Sequence, residues 1–268
     1  MYIRTEMATY HYEEVGHGPA LILLHGFTGT LQTWKPYIEK WADTHRVIAI
    51  DLPGHGKTRT QMFPSMEVFV DELAIILKQL NVDKCTMLGY SMGGRTALSF
   101  AVRYPEQVSR LILESASPGL QTTEERAQRQ QNDAQLASRI ESEGLEAFVN
   151  RWENTPLFAS QKGVPETKRQ AVRNERLSQT EAGLAASLRY MGTGAQQSNW
   201  DHLQRLQCPV HLVVGALDQK FVRMNQLMEQ RLPYASLQIV PNTGHAIHVE
   251  NDVEFDKLVK QFIIKDRL

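Results

Sequence analysis

The amino-acid sequence predicts an α/β fold: a mostly parallel, doubly wound sheet with one inserted helical cap. Three observations support this prediction. Short apolar runs alternate with stretches of helical spacing, the runs are apolar at consecutive positions, and one long polar segment lacks such runs. Continuous apolar character is typical of strands that are covered on both faces, as in a parallel sheet. Alternating strands and helices favour a doubly wound core.

Six apolar runs, rich in branched side chains, are predicted to form the central strands. In chain order they cover residues 20–24, 47–50, 85–88, 111–113, 210–214 and 237–240. Residues 3–12 alternate more in polarity, so we expect an antiparallel hairpin at the edge of the sheet there.

Apolar residues at helical spacing indicate the helices that cover the sheet. One helix is predicted to end before Asn81, with an apolar face made of Val68, Leu73, Ile76, Leu77 and Leu80. A second helix is predicted over residues 92–103. A third is predicted over 253–262, with an apolar face made of Val253, Phe255, Leu258, Val259 and Phe262.

Residues 119–201 interrupt this alternation, because they are polar and helical in pattern and contain no strand-like run. Arginine greatly outnumbers lysine in this segment, whereas a merely solvated helical face is expected to use both cations. We therefore predict a core formed by residues 1–118 and 202–268, with residues 119–201 inserted as a helical cap.

Composition argues against several classes of function. The chain has a formal net charge of -1 and no basic run, so neither nucleic acid nor a membrane is expected as a partner. The N-terminus lacks the pattern of a signal peptide, and a cytoplasmic location is the expectation. Cys85 and Cys208 are interpreted as small buried residues rather than a disulfide. Without a coiled coil or a large apolar stripe, a monomer or weak homo-oligomer is predicted.

Gly89-Tyr90-Ser91-Met92-Gly93 matches the G-x-S-x-G pattern of a nucleophile elbow. Its context supports the match, because the motif follows an apolar strand and opens a helix. Such a turn holds its serine in a strained conformation, and side chains at the flanking glycines are expected to collide with neighbouring backbone. Ser91 is therefore the predicted reactive residue.

A serine hydroxyl becomes reactive when an imidazole takes its proton and a carboxylate orients that imidazole. After such an elbow, the acid precedes the histidine in the chain. Asp218 follows the fifth predicted strand and His245 follows the sixth, so these two residues are the predicted partners. Asp201 and His248 are competitors that do not sit in the expected turns.

The loop His25-Gly26-Phe27-Thr28-Gly29 follows the first strong strand. In an elbow enzyme this loop supplies one backbone N–H of the oxyanion hole, and the residue after the serine supplies the other. The predicted donors are the amides of Phe27 and Met92. His25 is interpreted as a brace for this loop, and the loop at 51–56 as a structural turn.

The motifs HGF, DLPGHG, GYSMGG, D and GH resemble the α/β-hydrolase superfamily, whose members catalyse many reactions. The cap narrows the resemblance. It opens with the motif SPGLQ and contains WENTPLF and GTGAQQS, while Arg95 lies one turn after the elbow serine. With these features, essentially the whole chain resembles the 2-succinyl-6-hydroxy-2,4-cyclohexadiene-1-carboxylate synthases of menaquinone biosynthesis.

This resemblance implies that pyruvate is eliminated from 2-succinyl-5-enolpyruvyl-6-hydroxy-3-cyclohexene-1-carboxylate, without a metal or an organic cofactor. It implies that Ser91, Asp218 and His245 form the catalytic triad. The residues that match substrate-pocket positions are Tyr90, Arg95, Arg129, Trp152 and Arg176, with Arg126 and Lys220 as further candidates. The implied partner is a small polycarboxylate, and arginine binds carboxylates bidentately with a permanent charge.

The expected mechanism has Ser91 act as a base that removes the ring proton beside the succinyl carbonyl, while the Phe27 and Met92 amides stabilise the developing charge. The residues alone leave alternatives open. The cap arginines Arg126, Arg129 and Arg176 could instead form surface ion pairs with Glu124, Glu125 and Glu175. The chain could be a serine hydrolase of an ester or a carbon–carbon bond, or a non-enzymatic ligand-binding module.

Overall fold

The computed structural model describes residues 1–264, which form one nine-stranded sheet with helices on both faces. The strands are β1 (Tyr2–Arg4), β2 (Ala8–Val15), β3 (Ala20–Leu24), β4 (Arg46–Ile50), β5 (Arg59–Thr60), β6 (Cys85–Tyr90), β7 (Val108–Glu114), β8 (Val210–Gly215) and β9 (Ala235–Val240). Their order is β1-β2-β4-β3-β6-β7-β8-β9, and the short β5 pairs with β2.

The sheet is antiparallel at one edge and parallel elsewhere. Strand β2 pairs antiparallel with β1, β4 and β5. All pairings from β4 through β3, β6, β7 and β8 to β9 are parallel. The predicted fold class and the predicted edge hairpin are therefore confirmed.

Ten α-helices connect or follow these strands within residues 1–264. They are α1 (Lys35–Ala42), α2 (Met66–Gln79), α3 (Met92–Arg103), α4 (Thr123–Glu143), α5 (Leu145–Trp152), α6 (Glu166–Leu177), α7 (Glu181–Met191), α8 (Gln219–Glu229), α9 (Ile247–Glu250) and α10 (Asp252–Ile264). Within the same residues, none of the helices has the length and the apolar composition that crossing a membrane requires.

The two faces of the sheet have separate apolar cores. Helices α2, α3 and α8 cover one face, with Phe69, Phe100 and Met228 among the buried residues. Helices α1 and α10 cover the other face, where Trp41 and Phe255 are fully buried. This two-sided covering explains why the central strands are apolar at consecutive positions.

The prediction that Val68 and Val253 belong to the buried faces of their helices is wrong. Val68 is 37% exposed and Val253 is 77% exposed. Helix α2 begins at Met66, so its buried stripe runs through Met66, Phe69, Val70, Leu73, Ile76 and Leu77, and Val68 falls outside it. Val253 lies in the first turn of α10, off the stripe that starts at Phe255.

Helices α4 to α7 lie between β7 and β8, in the segment that we call the cap segment (residues 119–201). All of these residues are described, and none of them is in a strand. The segment has an apolar cluster of its own, made of Ala137, Ile140, Phe148, Val149, Leu184, Ala185 and Leu188. Phe27, which follows β3, packs against this cluster and so joins it to the sheet.

Candidate active site

Ser91 sits at the junction of β6 and α3 in a strained backbone conformation, with φ at 50°. The flanking glycines make this turn possible. A Cβ on Gly89 would lie 2.3 Å from the Gly93 carbonyl oxygen, and a Cβ on Gly93 would lie 2.0 Å from the Leu24 carbonyl oxygen. The turn therefore depends on glycine at both positions and exposes the serine at the carboxyl edge of the sheet.

The structure brings the three predicted triad residues into hydrogen-bonding register. His245 Nε2 lies 3.2 Å from Ser91 Oγ, and His245 Nδ1 lies 2.6 Å from Asp218 Oδ2. If Nδ1–H donates to the carboxylate, Nε2 is free to accept the serine proton. The competing histidine, His248, has its Nδ1 2.9 Å from Glu114 instead.

The amides of Phe27 and Met92 are the predicted oxyanion donors. Met92 is the first residue of α3, where a helix leaves its N–H groups without an internal partner. Within residues 1–264, neither amide donates a hydrogen bond to a protein acceptor. Neither N–H is therefore engaged within the described residues, as the predicted role of an oxyanion donor requires.

Two buried histidines brace the loop that contains Phe27. His25 Nε2 accepts a hydrogen bond from the Leu52 amide at 3.0 Å, and His55 Nε2 accepts one from the Thr28 amide at 3.3 Å. Both rings must stay neutral to accept these bonds. Burial lowers the pKa of His25, and burial together with the neighbouring His25 lowers the pKa of His55 to about 3.

Ser91 opens on a cavity of about 220 Å³, which we call the Ser91 cavity. Five of the seven predicted substrate residues line it: Tyr90, Arg95, Arg129, Trp152 and Lys220. The Trp152 Nε1 atom is buried without a hydrogen-bond partner within residues 1–264, so it is a further donor for a bound molecule. Arg126 and Arg176 do not line this cavity.

Arg95 is fixed by the end of the cap segment. Its guanidinium donates to the Met191 carbonyl at 3.1 Å and to the Gln196 side-chain oxygen. Arg95 is only 8% exposed, and this burial lowers its pKa. Because an isolated charge is costly in such a place, an anion bound beside Arg95 would be strongly stabilised.

Asp133 on α4 is a site residue that the sequence reasoning missed. Arg129 Nε donates to Asp133 Oδ1 at 2.8 Å, and Asp133 Oδ2 is buried without a partner within the described chain. Burial raises the pKa of this carboxyl. The spacing of four residues on one helix was a signal available in the sequence.

The surface ion pairs considered for the cap arginines are not formed. Arg126 donates to the carbonyls of Gly194 and Ala195, and Arg129 pairs with Asp133. Arg176 is 4.0 Å from its nearest carboxylate oxygen, on Glu153. None of the three is therefore paired with Glu124, Glu125 or Glu175 in residues 1–264.

Glu175 in the C-terminal part of α6 and Gln179, two residues after the helix ends, bind the Phe27 loop and the residues that follow it. Glu175 accepts hydrogen bonds from the Thr30 amide and hydroxyl and from the Thr33 hydroxyl, at 2.7 to 2.9 Å. Gln179 donates to the carbonyls of Thr28 and Gly29. Sequence reasoning missed these contacts, because they depend on where the cap segment lies relative to the sheet.

Residues 1–264 contain no group of three or more His, Cys, Asp or Glu side chains placed to hold a metal ion.

Comparisons with known proteins agree with this architecture. The family model described as the alpha/beta hydrolase fold matches residues 19–252. The solved structure of MenH from S. aureus superposes with a TM-score of 0.92 at 35% identity, covering 97% of this chain and 99% of that one. A thermophilic esterase from Thermogutta terrifontis superposes with a TM-score of 0.87 at 25% identity, covering 96% and 94%.

Two curated relatives narrow the family. A Bacillus subtilis (strain 168) protein, provisionally named 2-succinyl-6-hydroxy-2,4-cyclohexadiene-1-carboxylate synthase, is 44% identical and covers 94% of each chain. An Enterobacter sp. (strain 638) protein named as the same synthase is 32% identical, covering 92% of this chain and 94% of its own. The chain therefore belongs to the α/β-hydrolase superfamily and, within it, to the family of 2-succinyl-6-hydroxy-2,4-cyclohexadiene-1-carboxylate synthases.

Proposed function

We propose that this protein is a lyase of menaquinone biosynthesis. It eliminates pyruvate from 2-succinyl-5-enolpyruvyl-6-hydroxy-3-cyclohexene-1-carboxylate and releases 2-succinyl-6-hydroxy-2,4-cyclohexadiene-1-carboxylate. The strongest support is the site itself. Ser91, His245 and Asp218 lie within hydrogen-bonding distance of one another, and Ser91 lines a cavity whose cations are Arg95, Arg129 and Lys220. The synthase names of the relatives support the same reaction.

The first step is a proton transfer. Ser91 Oγ takes the proton from ring position 2, beside the succinyl carbonyl, while His245 Nε2 takes the hydroxyl proton of Ser91. The distance of 3.2 Å between these two atoms suits that transfer. Asp218, 2.6 Å from the other ring nitrogen, stabilises the imidazolium that forms. Ser91 thus acts as a base and forms no bond to substrate carbon.

The electrons of the broken C–H bond move through the ring. They form the 2,3 double bond, shift the 3,4 double bond to position 4,5 and break the bond between ring carbon 5 and the enolpyruvyl oxygen. The leaving group therefore departs from position 5, conjugated with the deprotonated carbon, rather than from its neighbour. The proton on His245 returns to the departing enolate, which gives pyruvate, and the reaction consumes no water.

Charge develops on the succinyl carbonyl oxygen during this transfer. The free amides of Phe27 and Met92 are the proposed donors to that oxygen. Losing one such donor typically costs about 3 kcal/mol of barrier. The His25 and His55 contacts keep the Phe27 loop in place, so they are proposed to position the first donor.

The cations of the Ser91 cavity are proposed to bind the carboxylates of the substrate. Arg95, Arg129 and Lys220 line the cavity, and among the described lining residues Asp133 is the one carboxylate that offsets these three positive charges. Trp152 is proposed to cover the apolar face of the ring.

We further propose that residues 119–201 act as a cap domain on a core of residues 1–118 and 202–268. We propose a monomer or a weak homo-oligomer, because a single chain supplies the proposed triad and the cationic lining of the Ser91 cavity.

The second candidate is a serine hydrolase of an ester or a carbon–carbon bond. The hydrogen-bonding geometry of Ser91, His245 and Asp218 suits a hydrolase as well as it suits the lyase. The Thermogutta terrifontis esterase shares the fold at 25% identity. The cationic lining of the Ser91 cavity discriminates between the two, because a neutral ester gives Arg95 and Arg129 nothing to pair with.

One assay separates the two candidates. Enzymatically generated substrate is supplied to the protein, and pyruvate is followed with a coupled lactate dehydrogenase, in parallel with the cleavage of p-nitrophenyl esters. We expect rapid pyruvate release and slow ester cleavage. Rapid ester cleavage without pyruvate release would establish the hydrolase instead.

A further inference from the structure

A second carboxylate–imidazole pair lies beside the proposed triad, and the steps proposed above do not use it. Glu114 is fully buried, and both of its carboxylate oxygens lie 2.9 Å from His248 Nδ1. One of these oxygens also accepts a hydrogen bond from the His248 backbone amide at 3.0 Å. A buried carboxylate is costly unless it is hydrogen-bonded, and His248 meets this need with two nitrogen atoms.

Glu114 also holds the nucleophile elbow. It is the last residue of β7, and its backbone carbonyl accepts a hydrogen bond from the Ser91 amide at 2.8 Å. In the parallel pairing of β6 and β7, Glu114 is the partner of Tyr90. One residue therefore binds Ser91 through its carbonyl and His248 through its carboxylate, and so it links these two segments of the chain.

The contact at His248 also affects His245, because only two residues separate the two histidines. His245 lies between β9 and α9, and α9 is a single turn of helix, Ile247–Glu250. So short a helix is not stable by itself, so tertiary contacts must set its position. Glu114 provides one such contact, and the Tyr37 hydroxyl on α1 provides another by donating to the His248 carbonyl at 2.5 Å.

A second carboxylate holds the two amides that flank His245. Glu250 accepts hydrogen bonds from the Gly244 amide at 2.7 Å and from the Ala246 amide at 3.4 Å. The sheet lies close on another side, since a Cβ on Gly215 would be 2.0 Å from the Gly244 carbonyl oxygen. Glu250 therefore restrains the backbone both before and after the imidazole.

The ring of Tyr90 connects the elbow with both histidines. It lies 4.6 Å from the His248 ring and 5.5 Å from the His245 ring. Tyr90 directly precedes Ser91, so a shift of His248 would disturb a neighbour of the reactive hydroxyl as well as the loop of His245. Fold stability alone does not require an ionisable pair here, because apolar residues of similar volume often stabilise a buried position equally well.

We propose that Glu114 and Glu250 are positioning residues that hold His245 Nε2 at 3.2 Å from Ser91 Oγ. Glu114 acts through His248, and Glu250 acts through the amides beside His245. This inference rests on the proposed function, because it takes His245 as the group that receives the Ser91 proton. A displacement of about 1 Å can lower a rate about 10²-fold, so contacts outside the triad affect the rate.

Two substitutions of similar size separate the hydrogen bonds of Glu114 from its volume. Glu114→Gln keeps an oxygen that accepts from the His248 amide and ring, whereas Glu114→Leu keeps no acceptor. In the pyruvate assay, kcat should be lower by about 10²-fold in Glu114→Leu, with KM changed about threefold or less. Glu114→Gln should restore kcat to within about tenfold of wild type, because the retained acceptor keeps His248 in place.

Glu72→Leu is the matched control, because Glu72 is another buried carboxylate and no step of the proposed reaction uses it. It lies in α2, is 5% exposed and accepts hydrogen bonds from the hydroxyls of Thr5 and Tyr10. Urea denaturation should show a loss of stability for Glu72→Leu as for Glu114→Leu, while kcat of the control stays at the wild-type value. Wild-type kcat in folded Glu114→Leu, or an equal loss of kcat in Glu72→Leu, would overturn the proposal.

Labelling of Ser91 by a fluorophosphonate gives a readout that needs no substrate. The reagent forms a bond between Ser91 Oγ and phosphorus and releases fluoride, while His245 takes the hydroxyl proton. Glu114→Leu should slow this labelling about as much as it lowers kcat, and Glu72→Leu should be labelled at the wild-type rate. Wild type that is labelled but releases no pyruvate would contradict the proposed reaction, and the labelling rates of the variants would still decide the role of Glu114.

Glu250 gives a second test at a half-buried position. Glu250→Ala removes the acceptor for the Gly244 and Ala246 amides, and Glu250→Gln keeps an acceptor oxygen. We expect kcat and the labelling rate to fall about tenfold in Glu250→Ala and to stay near the wild-type values in Glu250→Gln. Equal rates for these two variants would show that Glu250 does not position His245.

Discussion

Arg129 and Asp133 form a pair in which one carboxylate orients a cation and leaves its outer edge free. Asp133 accepts from Nε of Arg129, so neither terminal nitrogen of the guanidinium is used in this bond. Those two nitrogens form the fork that binds a carboxylate bidentately. Asp133 is therefore a positioning residue for Arg129, and its own negative charge keeps the cavity from becoming more cationic.

Asp133→Asn should change how stability depends on pH. Burial raises the pKa of Asp133, so the folded protein holds this proton more tightly than the unfolded chain. The carboxyl contributes fully below its unfolded pKa, and this contribution is lost as pH rises through the folded pKa. The free energy of unfolding of wild type, minus that of Asp133→Asn, should therefore fall with rising pH in this window.

Urea denaturation of both proteins at several pH values measures this difference. The asparagine keeps a carbonyl oxygen that can accept from Arg129, so the bond to Nε is retained and the comparison isolates the ionisation. A difference that is constant with pH, or that grows as pH rises, would show that burial does not dominate at Asp133.

At the scale of secondary-structure elements, the C-terminal end of α6 and the residues just after it link the cap segment to the catalytic edge. Glu175 and Gln179 bind the loop that presents the Phe27 amide. Arg176, next to Glu175 in the chain, is buried and lines a cavity of about 360 Å³ beside the Ser91 cavity. We expect the position of the Phe27 amide to depend on these contacts from the cap segment.

Gln179→Ala tests the link. Its amide donates to the carbonyls of Thr28 and Gly29 and accepts from the Gly56 amide at 3.0 Å. The substitution leaves buried backbone groups unsatisfied, which should cost about 1–3 kcal/mol of stability. We expect kcat to fall about tenfold, with a smaller change in KM, because a displaced donor weakens transition-state binding.

Gln170→Ala in α6 is the control, because Gln170 is exposed and its side chain bonds only to Asn174 within the described residues. Steady-state kinetics and thermal unfolding should match wild type for this variant. If Gln179→Ala retains wild-type kcat in a folded protein, the loop does not need the Gln179 contacts for its position.

The two braced loops after β3 and β4 should limit stability in acid. The pKa of His55 is lowered to about 3 by burial, so the unfolded chain binds this proton more readily than the folded protein. Stability should therefore fall as pH decreases from about 6.5 towards 3, by up to about 1.4 kcal/mol per pH unit from this residue.

His55→Gln keeps an acceptor for the Thr28 amide and removes the ionisation. Chemical denaturation between pH 7 and 4 should give a shallower loss of stability for the variant than for wild type. Parallel pH profiles for the two proteins would indicate that His55 does not stay neutral in the folded state.

At the scale of the whole molecule, the strands and helices that have a clear local sequence pattern could be predicted. Contacts between segments that are distant in the chain could not. The run at 20–24 and the helix at 92–103 have the bounds found for β3 and α3. The sequence analysis missed helix α1, which has eight residues, and strand β5, which has two. Such short elements are too short to show a clear hydrophobic periodicity. The residues proposed as a triad lie close together because the carboxyl ends of parallel strands share one edge.

The division of the cationic groups between two cavities is also a property of the whole molecule. Arg176 is separated from the Ser91 cavity by Phe27, Tyr90 and Phe158, which come from the core and from the cap segment. No sequence pattern indicates such a wall, because it arises only when the cap segment packs on the sheet. The arginine content of the cap could be read from the sequence, and the placement of each arginine could not.

In the proposed pyruvate elimination, Ser91 is made basic by His245 and removes the ring proton. This role is tested by the rate of pyruvate release from the authentic substrate by Ser91→Ala and by wild type, with circular dichroism to verify folding. We expect kcat to fall by about 10²- to 10⁴-fold in the variant. Pyruvate release by a folded Ser91→Ala protein at the wild-type rate would show that Ser91 is not the base.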